Sequence, residues 1–342
     1  MQQRVIKLIT LFYFVLCSVS ISQVQFIQYY TNTNLAQHYF IYEQYHQVDS
    51  CYKIAFRLDS VRGFNQDYLM AAANALQVKD TALTKTYLYA CAMLGGNYKT
   101  FKHSNTQDGD AVFNFVTHKQ NKALRKKLNA TLKQYKKSLN KEVCRKIHHL
   151  YVRDQAARMG PVNILPSRMQ DSIMERRDRK SAKELILICK QYGWPGYNLI
   201  GERKPNGKFS IRDADLLLRH YTMEELKELE PFVTKEIKKV NEYPYVWASA
   251  IDYCSIKTPL YMDSVKFEYK QKYGTLIMYG YMFSKDTTIA KKVFIIPFGK
   301  IEELTKARNE LFLEPIEDFC KIRKTLLPKE EIATEYRKPK KR

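Results

Sequence analysis

From Leu124 to Tyr151 apolar side chains return at every fourth residue, with one step of three: Leu124, Leu128, Leu132, Tyr135, Leu139, Val143, Ile147 and Tyr151. The stripe predicts one amphipathic helix over 121–158, apolar on one side and lysine-rich on the other. The rest of the chain has few breaks, since 342 residues contain only 12 Gly and 11 Pro. With 45% apolar and 27% charged residues it reads as globular, which excludes disordered, collagenous and small disulfide-held classes. The length suggests about two domains.

The first residues read as a targeting segment. Arg4 and Lys7 precede the apolar run Leu8 to Val19, followed by the small residues Ser20 and Ser22. A basic start, a short apolar run and a small-x-small end predict a secretory signal over 1–22, with the mature chain starting near Gln23. The expected location is periplasmic or extracellular, with no spanning segment in the mature chain. An uncleaved anchor is the alternative, but the run is short for a spanning helix. A lipoprotein modified at Cys17 is another, but the bulky Leu16 stands where a small residue is needed.

Six cysteines follow the signal: Cys51, Cys91, Cys144, Cys189, Cys254 and Cys320. An exported chain permits disulfides. Wide spacing and the absence of CxxC argue against zinc-ribbon and thioredoxin-type motifs. Cys91 and Cys189 stand in apolar runs, so buried free thiols are expected.

Residues 34–100 read as helical hairpins. Tyr39, Tyr42, Tyr45, Tyr52 and Ala55 recur at helical spacing, then Tyr68, Ala71, Ala72, Ala75 and Leu76, then Ala82, Leu83, Tyr87, Ala90 and Cys91. Glycines at 95 and 96 end the third run. Tyr52 and Ala55 return as Tyr87 and Ala90. That offset lies close to the period of tetratricopeptide repeats, about 34 residues. The region resembles a short tetratricopeptide-like array, which implies a surface for a protein or peptide partner. A generic helical subdomain is the plainer alternative.

Past 160–167, a break with Gly160, Pro161 and Pro166, helix is expected over 168–192, over 213–220, from Thr222 and from Pro244. Thr222 with Glu225 three residues on is a capping box. The stretches around 273–298 are rich in β-branched and aromatic residues and predict a small β-hairpin. Helix returns over 300–327. The expected fold is mainly α, with the domains 23–120, a basic connecting helix 121–143 and 144–336.

Net charge is +22, of which 122–146 carries +9 and the tail 337–342 carries +5. Export argues against nucleic acid as the partner. An anionic envelope surface is the partner these segments fit, and a solvated face is the plainer reading.

Within 144–336 seven motifs come in order: Asp154-Gln155-x-x-Arg158, Gly193-Trp194-Pro195, Gly201, His220, Asp252, Tyr273-Gly274-Thr275 and Pro315-Ile316-Glu317-Asp318. In this order they resemble a bacterial domain family without an assigned function. The resemblance implies a helical architecture with a small hairpin and no particular reaction. Arg219 stands where the family has Gln before its His, Tyr253 where Arg follows the late Asp, and Leu276 where Gln follows Tyr-Gly-Thr.

The candidate catalytic residues are Asp154, Gln155, His220 and Asp252, and the candidate ligand contacts are Arg158, Trp194 and Tyr273. An imidazole near a carboxylate suits general acid–base chemistry at neutral pH. The plainer readings are an i, i+4 ion pair for Asp154 and Arg158, a helix-end histidine for His220, and core packing for Trp194 and Tyr273. No HExxH, GxSxG, GxxxxGK[ST] or GxGxxG sequence occurs, so neither a metal nor a nucleotide cofactor is expected. The leading expectation is a non-catalytic binding or scaffold module of the envelope. The alternative is a hydrolase-like or metal-assisted enzyme around His220, Asp154 and Asp252.

Overall fold

The structure, a computed structural model, describes residues 24–58, 63–99, 107–159, 167–201, 213–257, 277–279, 293–295 and 301–322. The expected signal 1–22, the loops at 160–166 and 202–208, Tyr273, Leu276 and the tail 337–342 lie outside the described residues. What is described is mainly helical. Among the described residues no helix is long and apolar enough to cross a membrane. Two compact units result: Met1–Tyr135 with Ile237–Asn241, and Lys136–Glu236 with Glu242–Arg342.

The first unit contains α1 (24–41), α2 (Tyr45–Phe56), α3 (Asn65–Gln77), α4 (Thr81–Met93), α5 (Gln107–Thr117) and most of α6 (Lys122–Ser138). The tyrosine run expected to be continuous breaks at 42–44, where Glu43 takes a left-handed φ of 58°. Helix α3 packs against α2, α4 and α5. Ala71, Ala72, Ala73 and Ala75 are all buried, and side chains this small let three neighbours approach one helix. Asp80 caps α4, its Oδ1 accepting from the Leu83 amide at 2.9 Å. Tyrosine serves as core here. Phe56 and Tyr68 stack with ring centroids 3.8 Å apart, and Tyr52 and Tyr87 are buried beside them.

A buried carboxyl lies among these rings. The Tyr29 hydroxyl donates to Asp67 and accepts from the Phe64 amide at 2.9 Å. Burial pushes Asp67 up to about 6, against a partial lowering by the Tyr29 hydrogen bond. Between its ordinary range and that value the folded chain holds a proton that the unfolded chain releases. Stability from this group is therefore fully present below about pH 4 and lost as pH rises through about 6. The shift corresponds to about 3 kcal/mol. Asp67→Asn removes the titration. The difference in unfolding free energy between wild type and this variant should move by about that amount between pH 4 and 7. Urea midpoints across that range check it, and a constant difference would refute the assignment.

The second unit contains α7 (Lys141–Met159), α8 (Ser167–Tyr192), α9 (Asp213–Leu218), α10 (Met223–Lys238, up to Glu236), α11 (Pro244–Lys257), α12 (Ile301–Glu310) and α13 (Ile316–Ile322). The single helix expected over 121–158 is two. Asn140 interrupts it: its side-chain oxygen accepts from the Glu142 and Val143 amides, both at 3.1 Å, while its own amide donates to the Leu199 carbonyl at 2.9 Å. The apolar stripe runs on through the break, which is why periodicity hides it. The helix expected over 300–327 also divides at 311–315, where Phe312 takes a φ of 59° and Pro315 precedes α13.

The capping box forms, with the Thr222 amide donating to Glu225 at 2.8 Å. Gly193 ends α8 with a φ of 82°, and its amide donates to the Cys189 carbonyl at 2.9 Å. The hairpin expected over 273–298 lies largely outside the described residues. Within it β1 (Ile277–Tyr279) and β2 (Val293–Ile295) pair antiparallel, Met278 opposite Phe294.

Candidate functional site

Helix α7 packs on α8 and α9, and α9 also touches α8 and α11. The buried stripe of α7 runs Val143, Ile147, Leu150 and then Asp154. The buried stripe of α8 likewise begins with Asp178 before Ala182, Leu185 and Cys189. Two carboxylates thus continue two apolar faces and enter the same interior. A buried charge must be paired, and Arg158 pairs both. Its Nη2 donates to Asp154 Oδ1 at 2.9 Å and to Asp178 Oδ1 at 2.5 Å, and its Nε reaches both oxygens of Asp154 at 3.2 Å. Gln155 Nε2 donates to Asp154 Oδ2 at 2.8 Å.

His220 follows α9 and brings Nε2 to 3.7 Å from Asp154 Oδ2. That is too long for a hydrogen bond and close enough for an ion pair when the imidazole is protonated. The edge of one ring meets the face of the other between His220 and Tyr253, with centroids 6.4 Å apart. Asp252, next to Tyr253 on α11, is fully buried. Tyr221 is buried too, with its hydroxyl 3.2 Å from Ser181 Oγ. Burial pushes the Tyr221 phenol far above its ordinary range. The Ser181 hydrogen bond opposes this, and the charges of Asp154, Asp178 and Glu225 add to it. This tyrosine stays protonated and can donate but not serve as a base.

Of the expected site residues, Asp154, Gln155, Arg158 and His220 come together. Trp194 does not join them as a ligand platform. It is buried, and its Nε1 donates to the buried Glu242 at 2.7 Å, so it is a core residue with a paired polar edge. Asp178, Ser181 and Tyr221 were not anticipated. The available signal was an acidic residue in register with the apolar stripe of α8. Burial pushes the Cys189 thiol up to about 12, which makes it a poor nucleophile. Cys51, Cys91, Cys144, Cys189 and Cys254 take part in no disulfide. Among the described residues no group of three or more His, Cys, Asp and Glu side chains is arranged to hold a metal ion.

No family model matches this chain, and no curated protein or solved structure matches it.

Proposed function

We propose that the chain is an exported, non-catalytic binding or scaffold module of the bacterial envelope. The observation that carries this is the closure of the polar cluster upon itself. Asp154 is occupied by Arg158 and Gln155, and Arg158 is divided between Asp154 and Asp178. Such a lattice clasps α7 to α8 and leaves the Asp154 carboxylate, whose side chain is 3% exposed, little room to take a substrate proton.

Export rests on the segment 1–22, with its basic start, short apolar run and the small residues Ser20 and Ser22. In the first unit, Tyr52, Ala55 and Tyr87 of the recurring pattern are buried, and α2, α3 and α4 pack in sequence. This supports a tetratricopeptide-like front that offers helical surfaces to a protein or peptide partner. Helix α6 exposes Lys122, Lys126, Lys133, Lys136 and Lys137, a positive face for an anionic envelope surface. In the second unit the family-like motif residues Asp154, Arg158 and His220 gather in one place. The pairing of Ile277–Tyr279 with Val293–Ile295 accords with the small hairpin of that family.

The enzyme reading has one observation in its favour, the half-buried His220 facing Asp154 at 3.7 Å. Wild type and His220→Ala, incubated with ester, amide and phosphoester substrates, separate the two. We expect no turnover above buffer from either protein. Turnover by wild type that disappears in a folded His220→Ala variant would overturn the non-catalytic reading.

A further inference from the structure

A second feature of the same unit lies between α7 and α8, on the turns toward Lys141 and Tyr192 and away from the Asp154 cluster along both helices. An open groove of about 660 Å3 runs there, floored by Leu150 and Ile188 and edged by Arg145, Lys146, His149 and Leu187. Its two carboxylates already have cations. Glu142 takes Lys146 at 2.8 Å and the Tyr192 hydroxyl at 2.9 Å, and Arg145 adds a further positive charge beside it. Glu184 takes Arg153 at 2.9 Å.

Leu187 is 64% exposed, the most exposed large apolar side chain among the described residues. Lys183 and Lys190 stand about one turn to either side of it on α8, both exposed. The lining charges cancel, Arg145 and Lys146 against Glu142 and Glu184, and the positive excess comes from Arg153, Lys183 and Lys190 around the groove. An exposed leucine over a buried apolar floor, with that charge beside it, has a definite complement. That complement is an amphipathic helix with apolar anchors at i, i+3, i+4 and i+7 and acidic residues flanking them. A lipid surface fits less well, because Leu187 is exposed while Leu150 and Ile188 lie buried beneath it, so no broad apolar face is presented for insertion.

We propose that the α7–α8 groove docks an acidic amphipathic helix of a partner protein. The proposal is independent of any partner surface on α1–α5. Its test uses the full chain and two synthetic helical peptides with leucine at i, i+3, i+4 and i+7. One carries glutamate at its remaining positions and the other carries lysine. Fluorescence anisotropy should show binding of the glutamate peptide and none of the lysine peptide. Leu187→Ser and Arg145→Glu, both at exposed positions, should each weaken binding by about tenfold or more. Their circular dichroism should match wild type.

Equal binding of the two peptides, or no binding, would overturn the proposal. So would binding that neither variant changes, since that would place the acidic peptide on another basic face such as α6. Binding to anionic vesicles by a chain that ignores the glutamate peptide would also overturn it, in favour of a lipid surface.

Discussion

Gly95→Ala is expected to destabilise the first unit by about 2–5 kcal/mol, through two effects that act together. Gly95 follows α4 with a φ of 91°, a left-handed conformation that costs a residue with a Cβ about 1–2 kcal/mol. A Cβ there would also lie 2.1 Å from Cε1 and 2.6 Å from Cζ of Tyr135 on α6. The Tyr135 ring is itself buried, so it has little space to withdraw into. Relief requires moving α6 away from the end of α4, and overpacking of this kind costs about 1–3 kcal/mol. Loss of far-UV circular dichroism with urea measures the change. The double variant Gly95→Ala/Tyr135→Ala supplies the diagnostic. Removing the ring removes the clash but not the backbone strain, so the two single losses should sum to more than the double. Strict additivity would show that the ring and the glycine do not oppose each other.

Arg158→Met should cost the second unit about 3 kcal/mol. The substitution keeps much of the aliphatic bulk and removes the guanidinium shared by Asp154 and Asp178. The Asp154 side chain is 3% exposed and that of Asp178 11%, so water can do little to replace the guanidinium. The chain has two tryptophans, Trp194 and Trp247, both buried in this unit, so their emission reports its unfolding directly. The triple variant Arg158→Met/Asp154→Asn/Asp178→Asn should recover most of the loss, because no uncompensated charge remains. Arg158→Lys should fall between, since an ammonium carries the charge but lacks the planar fork that spans both carboxylates. If Arg158→Met left the tryptophan transition unchanged, the cluster would not clasp α7 to α8. The open-site reading centred on His220 would then gain ground.

These two positions differ in how far the chain alone announces them. Glycines at 95 and 96 mark the end of α4 without any knowledge of the fold. That Tyr135 lies against Gly95 follows from the packing of α6, which no local pattern encodes. Asp154 and Arg158 are recognisable as neighbours because four residues make one helical turn. Asp178 as the second acceptor depends on α7 and α8 meeting at that depth. The interruption at Asn140 was concealed for a related reason. Leu139 and Val143 keep the apolar spacing across it, and the carbonyl that holds the Asn140 amide belongs to Leu199. His220 was visible as a histidine near a helix end, but its distance to Asp154 is set by how α9 rests on α7.

Helix content, the faces that would be buried, the capping box at Thr222 and the stop at Gly193 could be read from the residues alone. Each is an interaction spanning about one helical turn, so the order of residues carries it. The sharing of Arg158 between two carboxylates, the Trp194–Glu242 hydrogen bond and the raised pKa of Asp67 among tyrosines could not be read that way. They join residues on different helices. Their strength comes from the exclusion of water where those helices pack, and that exclusion exists only once the chain has folded.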